Sequence, residues 1–229
     1  MIKKAMILAA GFGKRIHPLT LKCPKPLLNI GSETLLSNTL RFLETAQIEQ
    51  VIINVHYLSE QIIDYINKKK FNLFITVINE KEKILNTGGG ILNAIKHFNE
   101  NFICINPDTI WNAGYLKELK QMQDLFVSKD GKLSMLVVDK KRSFDKSLKG
   151  DFNLENHLIS KKNKENLRYI YTGLQIINPK IFSNIDEKVF SINKIWNKLI
   201  DKNELIGMES NVDFLHVSTL DIYNKLNVK

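Results

Sequence analysis

Apolar positions follow two rhythms along this chain, and their alternation predicts its elements. Residues 5–8 form a short apolar run suited to a buried strand. Within 34–45, Leu35, Leu36, Thr39, Leu40 and Leu43 recur at helical spacing, with Ser32 as the expected N-cap. Residues 51–53 predict a second strand, Ser59 opens a helix through Ile62, Ile63 and Ile66, and 73–78 predict a third strand. Further on, helical spacing covers 91–97, 115–127 and 192–200, and strand patterns cover 102–105, 133–138 and 171–177. Strands alternating with helices predict an α/β fold, a three-layer sandwich around a mostly parallel, doubly wound, Rossmann-like sheet. The apolar positions are then core, Cys104 and Trp196 included. His56 and Tyr57, just past the second strand, either finish a loop or face a site.

Composition narrows the class. A chain of 229 residues is within reach of one α/β domain with a full core. No apolar segment approaches the roughly 20 residues that span a bilayer. The apolar run after Met1-Ile2-Lys3-Lys4 is too short for a secretory signal. Cys23 and Cys104 lie far apart without metal-type spacing. The chain therefore reads as cytoplasmic, with no membrane partner. Its net charge of +9 raises nucleic acid, but only four basic residues are arginine (Arg15, Arg41, Arg142 and Arg168). Base readout leans on arginine's bidentate fork, and the lysines are spread over many helix faces. They predict a solvated surface whose field gathers small anions, with no nucleic-acid partner.

The candidate chemistry starts at residues 8–27, Leu-Ala-Ala-Gly-Phe-Gly-Lys-Arg-Ile-His-Pro-Leu-Thr-Leu-Lys-Cys-Pro-Lys-Pro-Leu. Gly11 and Gly13 follow the first strand and let the backbone turn sharply with bare N–H groups. Lys14 and Arg15 come next, and Lys25 is stiffened between Pro24 and Pro26. A strand, a glycine turn and then cations is how an α/β sheet holds phosphate. A dinucleotide fingerprint needs glycine at position 16, where Ile16 stands, and a P-loop needs Gly-Lys-Ser/Thr, where Arg15 follows Lys14.

Leu85-Asn86-Thr87-Gly88-Gly89-Gly90 precedes the helix over 91–97. Three glycines at a helix start cost chain entropy, so they mark either a flexible turn or amides that meet a base edge or phosphate. The apolar strand 102–105 runs into Asn106-Pro107-Asp108. A carboxylate beyond the carboxyl end of a central parallel strand lies in the ligand crevice, where Asp108 either caps a turn or binds magnesium with substrate phosphates. The lysine-rich region 139–168, with Gly150-Asp151-Phe152 in its midst, could be an exposed hairpin insertion.

The 8–27 string resembles the signature of the sugar-phosphate nucleotidyltransferases, Leu-Ala-Ala-Gly-x-Gly-x-Arg followed by Pro-Leu-Thr and Pro-Lys-Pro-Leu. Thr-Gly-Gly-Gly-Ile and Gly-Asp-Phe further resemble the N-acetylmuramate 1-phosphate uridylyltransferases, over essentially the whole chain. The resemblance implies one nucleotidyltransferase domain over 1–229, its nucleotide-binding half about 1–110 and its sugar-phosphate half about 111–229. It implies nucleotide contacts from Ala10, Gly11, Phe12, Gly13, Lys14, Asn86, Thr87, Gly88 and Gly89, and catalytic roles for Arg15 at pyrophosphate and Lys25 between the two reacting phosphates. Asn106, Gly150, Asp151, Thr172 and Gly173 are the implied sugar-phosphate contacts, and Asp108 the implied Mg2+ ligand. The chain departs from the family pattern at Asn86 (usually Glu), at Pro107 (usually Gly), and at His216 and Ser218, where an Asp and a Gly are usual. His216 thus stands at the second metal position, to bind the metal or its water, to touch substrate, or simply to cap a helix. Asp213, three residues back along a strand, would face the other way.

The implied partners are an NTP, UTP first, and a sugar 1-phosphate, N-acetylmuramate 1-phosphate first, in a monomer or small homo-oligomer serving cell-wall or surface-sugar precursors and peptidoglycan recycling. The alternatives are another hexose or heptose 1-phosphate, such as mannose 1-phosphate with GTP, and a nucleotide-binding regulator without catalysis.

Overall fold

The computed structural model describes residues 1–228, the side chain of Lys164 excepted. Strand β1 (Lys4–Leu8) leads into a loop of short 3-10 turns, then a small hairpin of β2 (Asn29–Ile30) and β3 (Glu33–Thr34). There follow α1 (Leu35–Thr45), β4 (Gln50–Val55), α2 (Ser59–Lys68), β5 (Phe74–Asn79), α3 (Asn86–Ala94) and β6 (Phe102–Ile105). The second half contains α4 (Gly114–Ser128), β7 (Leu133–Asp139), β8 (Asn153–Glu155), β9 (Leu158–Ser160), β10 (Tyr169–Ile177), α5 (Asn193–Asp201), β11 (Leu205–Ser210) and α6 (Leu220–Asn227).

One sheet runs through both halves in the order β5-β4-β1-β6-β10-β7-β11-β9-β8. The run β5-β4-β1-β6 is parallel, as is the β7–β11 pair, and β10 lies antiparallel between β6 and β7. This is the α/β sandwich with helices on both faces that the strand–helix alternation predicts. Side chains alternate across each strand with period two. Ala5, Ile7, Ile103 and Ile105 pack with α1 and α4 through Leu36, Leu40, Tyr115 and Met122. Met6, Phe102 and Cys104 point to the other face, against Ile91 of α3 and Ile195, Trp196 and Leu199 of α5. Each large aliphatic or phenyl side chain among them contributes about 1.5–3 kcal/mol by leaving water. Burial pushes the Cys104 thiol up to about 12, against a weaker opposing hydrogen bond with Gln175, so it behaves as a small core residue.

Two local expectations change. The N-cap of α1 is Thr34, whose hydroxyl accepts from the Ser37 N–H at 3.0 Å, and Ser32 lies in the preceding turn. The three glycines are inside a helix, since α3 begins at Asn86. The lysine-rich region does contain a hairpin, β8–β9, and it joins the edge of the main sheet through β11.

Candidate active site

The carboxyl ends of β1, β4 and β6 open onto a cleft of about 410 Å3. This is the crevice in which parallel α/β sheets bind ligands. Its floor and walls include Leu8 to Ile16, Lys25, Asn54, Asn86, Thr87, Asn106, Asp108 and Ser218. Two separate stretches of the chain, 8–27 and 84–87, therefore face each other across one space.

Gly11 has open space where a side chain would stand. Gly13 adopts φ +64°, and a Cβ there would press on Thr20 and Lys25 at 3.0 and 3.1 Å. The Thr20 hydroxyl donates to the Gly13 carbonyl at 2.9 Å, which ties the loop to the segment carrying Lys25. Lys14 lies over the Phe12 ring, 5.4 Å from its centroid. Arg15 is exposed and forms no carboxylate pair among the described residues.

Lys25 Nζ reaches Asp108 Oδ2 at 2.5 Å, and His216 Nε2 reaches the same oxygen at 3.2 Å. The backbone explains the second contact. Val217 N–H donates to the Asp108 carbonyl, Ile110 N–H donates to that of Leu215, and His216 pairs antiparallel with Thr109. Burial pushes the Asp108 carboxyl up, but the charges of Lys25 and His216 and the hydrogen bonds they make outweigh it. The group is held far below the usual carboxylate range. Asp213 is turned away and joins Arg142 at 3.2 Å.

The donor set can be tested against a magnesium ion. Asp108 Oδ1 is buried and has no hydrogen-bond partner among the described residues. Magnesium is held by one or two carboxylates together with phosphate oxygens and water, so this oxygen fits as one ligand. His216 directs its Nε2 at Asp108 and leaves a buried Nδ1 without a partner among the described residues, but imidazole suits softer ions than magnesium. Among the described residues no group of three or more His, Cys, Asp or Glu could hold a metal alone.

The glycine helix has a different role from the one its sequence suggests. The Gly88 and Gly89 N–H groups both donate to the Phe190 carbonyl, at 2.9 and 3.0 Å, and neither glycine lines the cleft. A Cβ at Gly88 would enter the Phe190 ring, and one at Gly89 would meet the Lys188 carbonyl. These glycines admit the segment 188–192, and the Gly88 and Gly89 amides are already paired with it. Asn86, at φ 64°, and Thr87 do line the cleft, and the Thr87 hydroxyl also accepts from the Ile192 N–H at 2.9 Å.

The sugar-phosphate candidates divide as well. Gly173, at φ +94°, sits where the β10–β7 register slips and lies against Asn106, whose N–H donates to the Gly173 carbonyl at 2.8 Å. Thr172 is fully buried and donates its hydroxyl to the Leu136 carbonyl, so it faces no substrate. Gly150 lies against Leu167 and lines a separate lysine-rich depression rather than the cleft. Asp151 Oδ2 accepts from the Tyr171 N–H at 3.0 Å. Desolvation of that carboxyl raises its pKa, against this hydrogen bond and the charges of Lys161 and His216. Burial, with the negative charge of Asp108 beside it, raises the pKa of the Tyr171 hydroxyl well above its usual value, and its ring meets Trp196 edge-on at 4.9 Å.

Asn54 is a site residue that the sequence reading missed. It accepts from the Ala9 N–H at 3.1 Å and donates to buried Glu80 at 2.6 Å, while Glu80 also accepts from the Leu85 N–H at 2.7 Å. This network ties the opening loop to the entrance of α3. One polar residue inside the apolar run of β4 was the available signal.

Comparison with known proteins places the chain in a family. The nucleotidyl transferase family matches residues 4–146. The chain belongs to that family. Among its relatives, the N-acetylmuramate alpha-1-phosphate uridylyltransferase of Caulobacter vibrioides is 25% identical over 221 residues, covering 94% of this chain and 91% of the relative. The mannose-1-phosphate guanylyltransferase catalytic subunit beta of Drosophila melanogaster is 28% identical over 212 residues, covering 90% of this chain but 57% of its own length. HddC from Yersinia pseudotuberculosis superposes with a TM-score of 0.78 at 24% identity, each chain covered to 99%. HddC therefore shares the fold, and no helix among the described residues is long and apolar enough to cross a membrane.

Proposed function

We propose that this sugar-phosphate nucleotidyltransferase transfers UMP from UTP to N-acetylmuramate 1-phosphate, releasing pyrophosphate. The carrying observation is the meeting of the Gly11–Arg15 loop, the Lys25–Asp108 pair and Asn86–Thr87 at one cleft. An oxygen of the sugar phosphate attacks the α-phosphorus, the bond to the β-phosphate bridge oxygen breaks, and pyrophosphate leaves. Both reactants are anions, so catalysis is positioning and charge neutralisation. A sugar phosphate is already ionised at neutral pH and needs no general base.

Arg15, with no carboxylate partner among the described residues, takes the leaving pyrophosphate, and the amides of Gly11 to Gly13 hold the triphosphate. Lys25 turns from Asp108 to bridge the two reacting phosphates. A magnesium ion, which Asp108 Oδ1 and phosphate oxygens would hold, supplies charge neutralisation at the phosphates. Asp151 and Gly173 border the sugar-phosphate side.

The uridylyl reading is supported by the Caulobacter relative, which this chain matches nearly end to end. GTP with mannose 1-phosphate is the second reading, supported by the guanylyltransferase relative at similar identity. A panel of four nucleotides crossed with sugar 1-phosphates, read as pyrophosphate release with Mg2+, tests both. Highest kcat/KM for UTP with N-acetylmuramate 1-phosphate supports the first. A preference for GTP with mannose 1-phosphate replaces it with the second, and nucleotide binding without product from any pair makes the protein a regulator.

A further inference from the structure

Asp108 is the only carboxylate among the described residues that lines the cleft, which otherwise presents Lys14, Arg15 and Lys25. A second carboxylate stands directly behind the cleft wall. Residues 142–145 run beside the C-terminal segment: Phe214 N–H donates to the Arg142 carbonyl at 3.0 Å, and Phe144 N–H donates to that of Phe214 at 2.9 Å. This pairing buries Asp145 to 3% exposure. Its Oδ1 accepts from the Ser147 N–H at 3.0 Å and from the Ser147 hydroxyl at 2.6 Å. Its Oδ2 accepts from the hydroxyl of Ser218.

Ser218, though only 1% exposed, forms part of the cleft lining, which Thr172 does not. Its one hydroxyl proton is committed to Asp145, so towards the cleft it can offer only oxygen lone pairs. A buried carboxylate accepting that proton polarises the hydroxyl and fixes its orientation, as outer groups do around metal ligands. Oxygen is also the donor that a hard divalent cation selects.

We propose that Ser218 Oγ is an oxygen ligand for the divalent cation of this cleft. Asp145, acting through Ser218, is a positioning residue that brings a second negative charge to a site with one direct carboxylate. The inference rests on the divalent-cation reading above.

The test uses Mn2+ as the probe, added to the full chain with and without UTP, the bound fraction being read from the electron paramagnetic resonance signal of the free ion. Asp145→Asn lets an amide donate to Ser218 Oγ and occupy the lone pair. Ser218→Ala removes the oxygen and leaves Asp145 with its Ser147 bonds. Each raises the Mn2+ concentration for half-saturation about tenfold or more, with a parallel rise in the metal needed for half-maximal pyrophosphate release. Ser218→Thr keeps the hydroxyl and restores affinity. Thermal unfolding without metal identifies any variant that has merely lost stability. Wild-type Mn2+ affinity in folded Asp145→Asn and Ser218→Ala overturns the inference. If wild type itself binds no Mn2+, the cation reading falls with it, while wild-type pyrophosphate release would leave the transferase assignment standing.

Discussion

Two glycine-rich stretches flank the cleft, and they do opposite things. At Gly11 the space beside the Cα is open and faces the cleft. At Gly88, Gly89 and Gly90 the same space is filled by the protein: the Phe190 ring, the Lys188 carbonyl, and the side chains of Asn54 and Glu80 at 2.7 and 2.8 Å. A missing side chain signals close approach. Whether the approaching group is substrate or backbone depends on a segment a hundred residues away.

The comparison can be pressed at several points. Lys25 lines the cleft on the Gly11 side, with a side chain 13% exposed and paired to Asp108. Lys25→Ala is expected to cut kcat by about 10²–10³, measured as pyrophosphate release, with the folded structure retained by circular dichroism. Wild-type turnover would remove Lys25 from the chemistry.

Next come the glycines. Gly89→Ala forces the Lys188 carbonyl to shift, at a cost of about 1–3 kcal/mol, or about 3–10 °C in calorimetric Tm for a chain of this size. Gly11→Ala is expected to leave Tm within about 2 °C and to raise the KM for UTP on the order of tenfold by crowding the triphosphate. The reverse pattern would break the comparison.

An effect of similar size is expected at Thr87, which lines the cleft and bonds the 188–192 segment. Thr87→Val leaves the Ile192 N–H unpaired and costs about 1–3 kcal/mol, seen as a lower urea midpoint at unchanged slope. An unchanged midpoint would detach the 188–192 segment from the stability of α3.

The subtlest readout is pH dependence. The folded-state pKa of Asp108 is lowered, so its contribution to stability is fully present above the unfolded value of about 3.9 and is lost as pH falls from there towards the folded value. The stability difference between wild type and Asp108→Asn should therefore shrink on acidification from about pH 5 to pH 3 and stay flat above. A difference independent of pH over that window would mean that the carboxylate gains nothing from Lys25 and His216.

Much of this was legible in the sequence because it depends on local periodicity. Period-two and helical spacing gave the strands β1, β4, β6 and β7 and the helices α1, α4 and α5, and with them the layered α/β arrangement. The opening loop was legible because its glycines, prolines and cations stand together in one string. Long-range pairing was not. Nothing near residues 85–90 announces Phe190, and nothing in the lysine-rich stretch 139–150 announces that Asp145 will be buried against Ser218. Strand β11 lies in a short stretch interrupted by Gly207 and Glu209, which breaks its apolar pattern. Thr172 looked like a substrate contact, yet the bend at Gly173 turns its hydroxyl into the sheet.

The central claim is that this cleft joins a nucleoside monophosphate to a sugar 1-phosphate. Phosphorus-31 NMR of the wild-type chain with UTP, N-acetylmuramate 1-phosphate and Mg2+ tests it most directly. The account predicts that the triphosphate and sugar-phosphate signals decay together while pyrophosphate and a new diphosphate-ester pair rise in equal amounts. UTP loss that yields UMP and pyrophosphate without the sugar phosphate being consumed would contradict it.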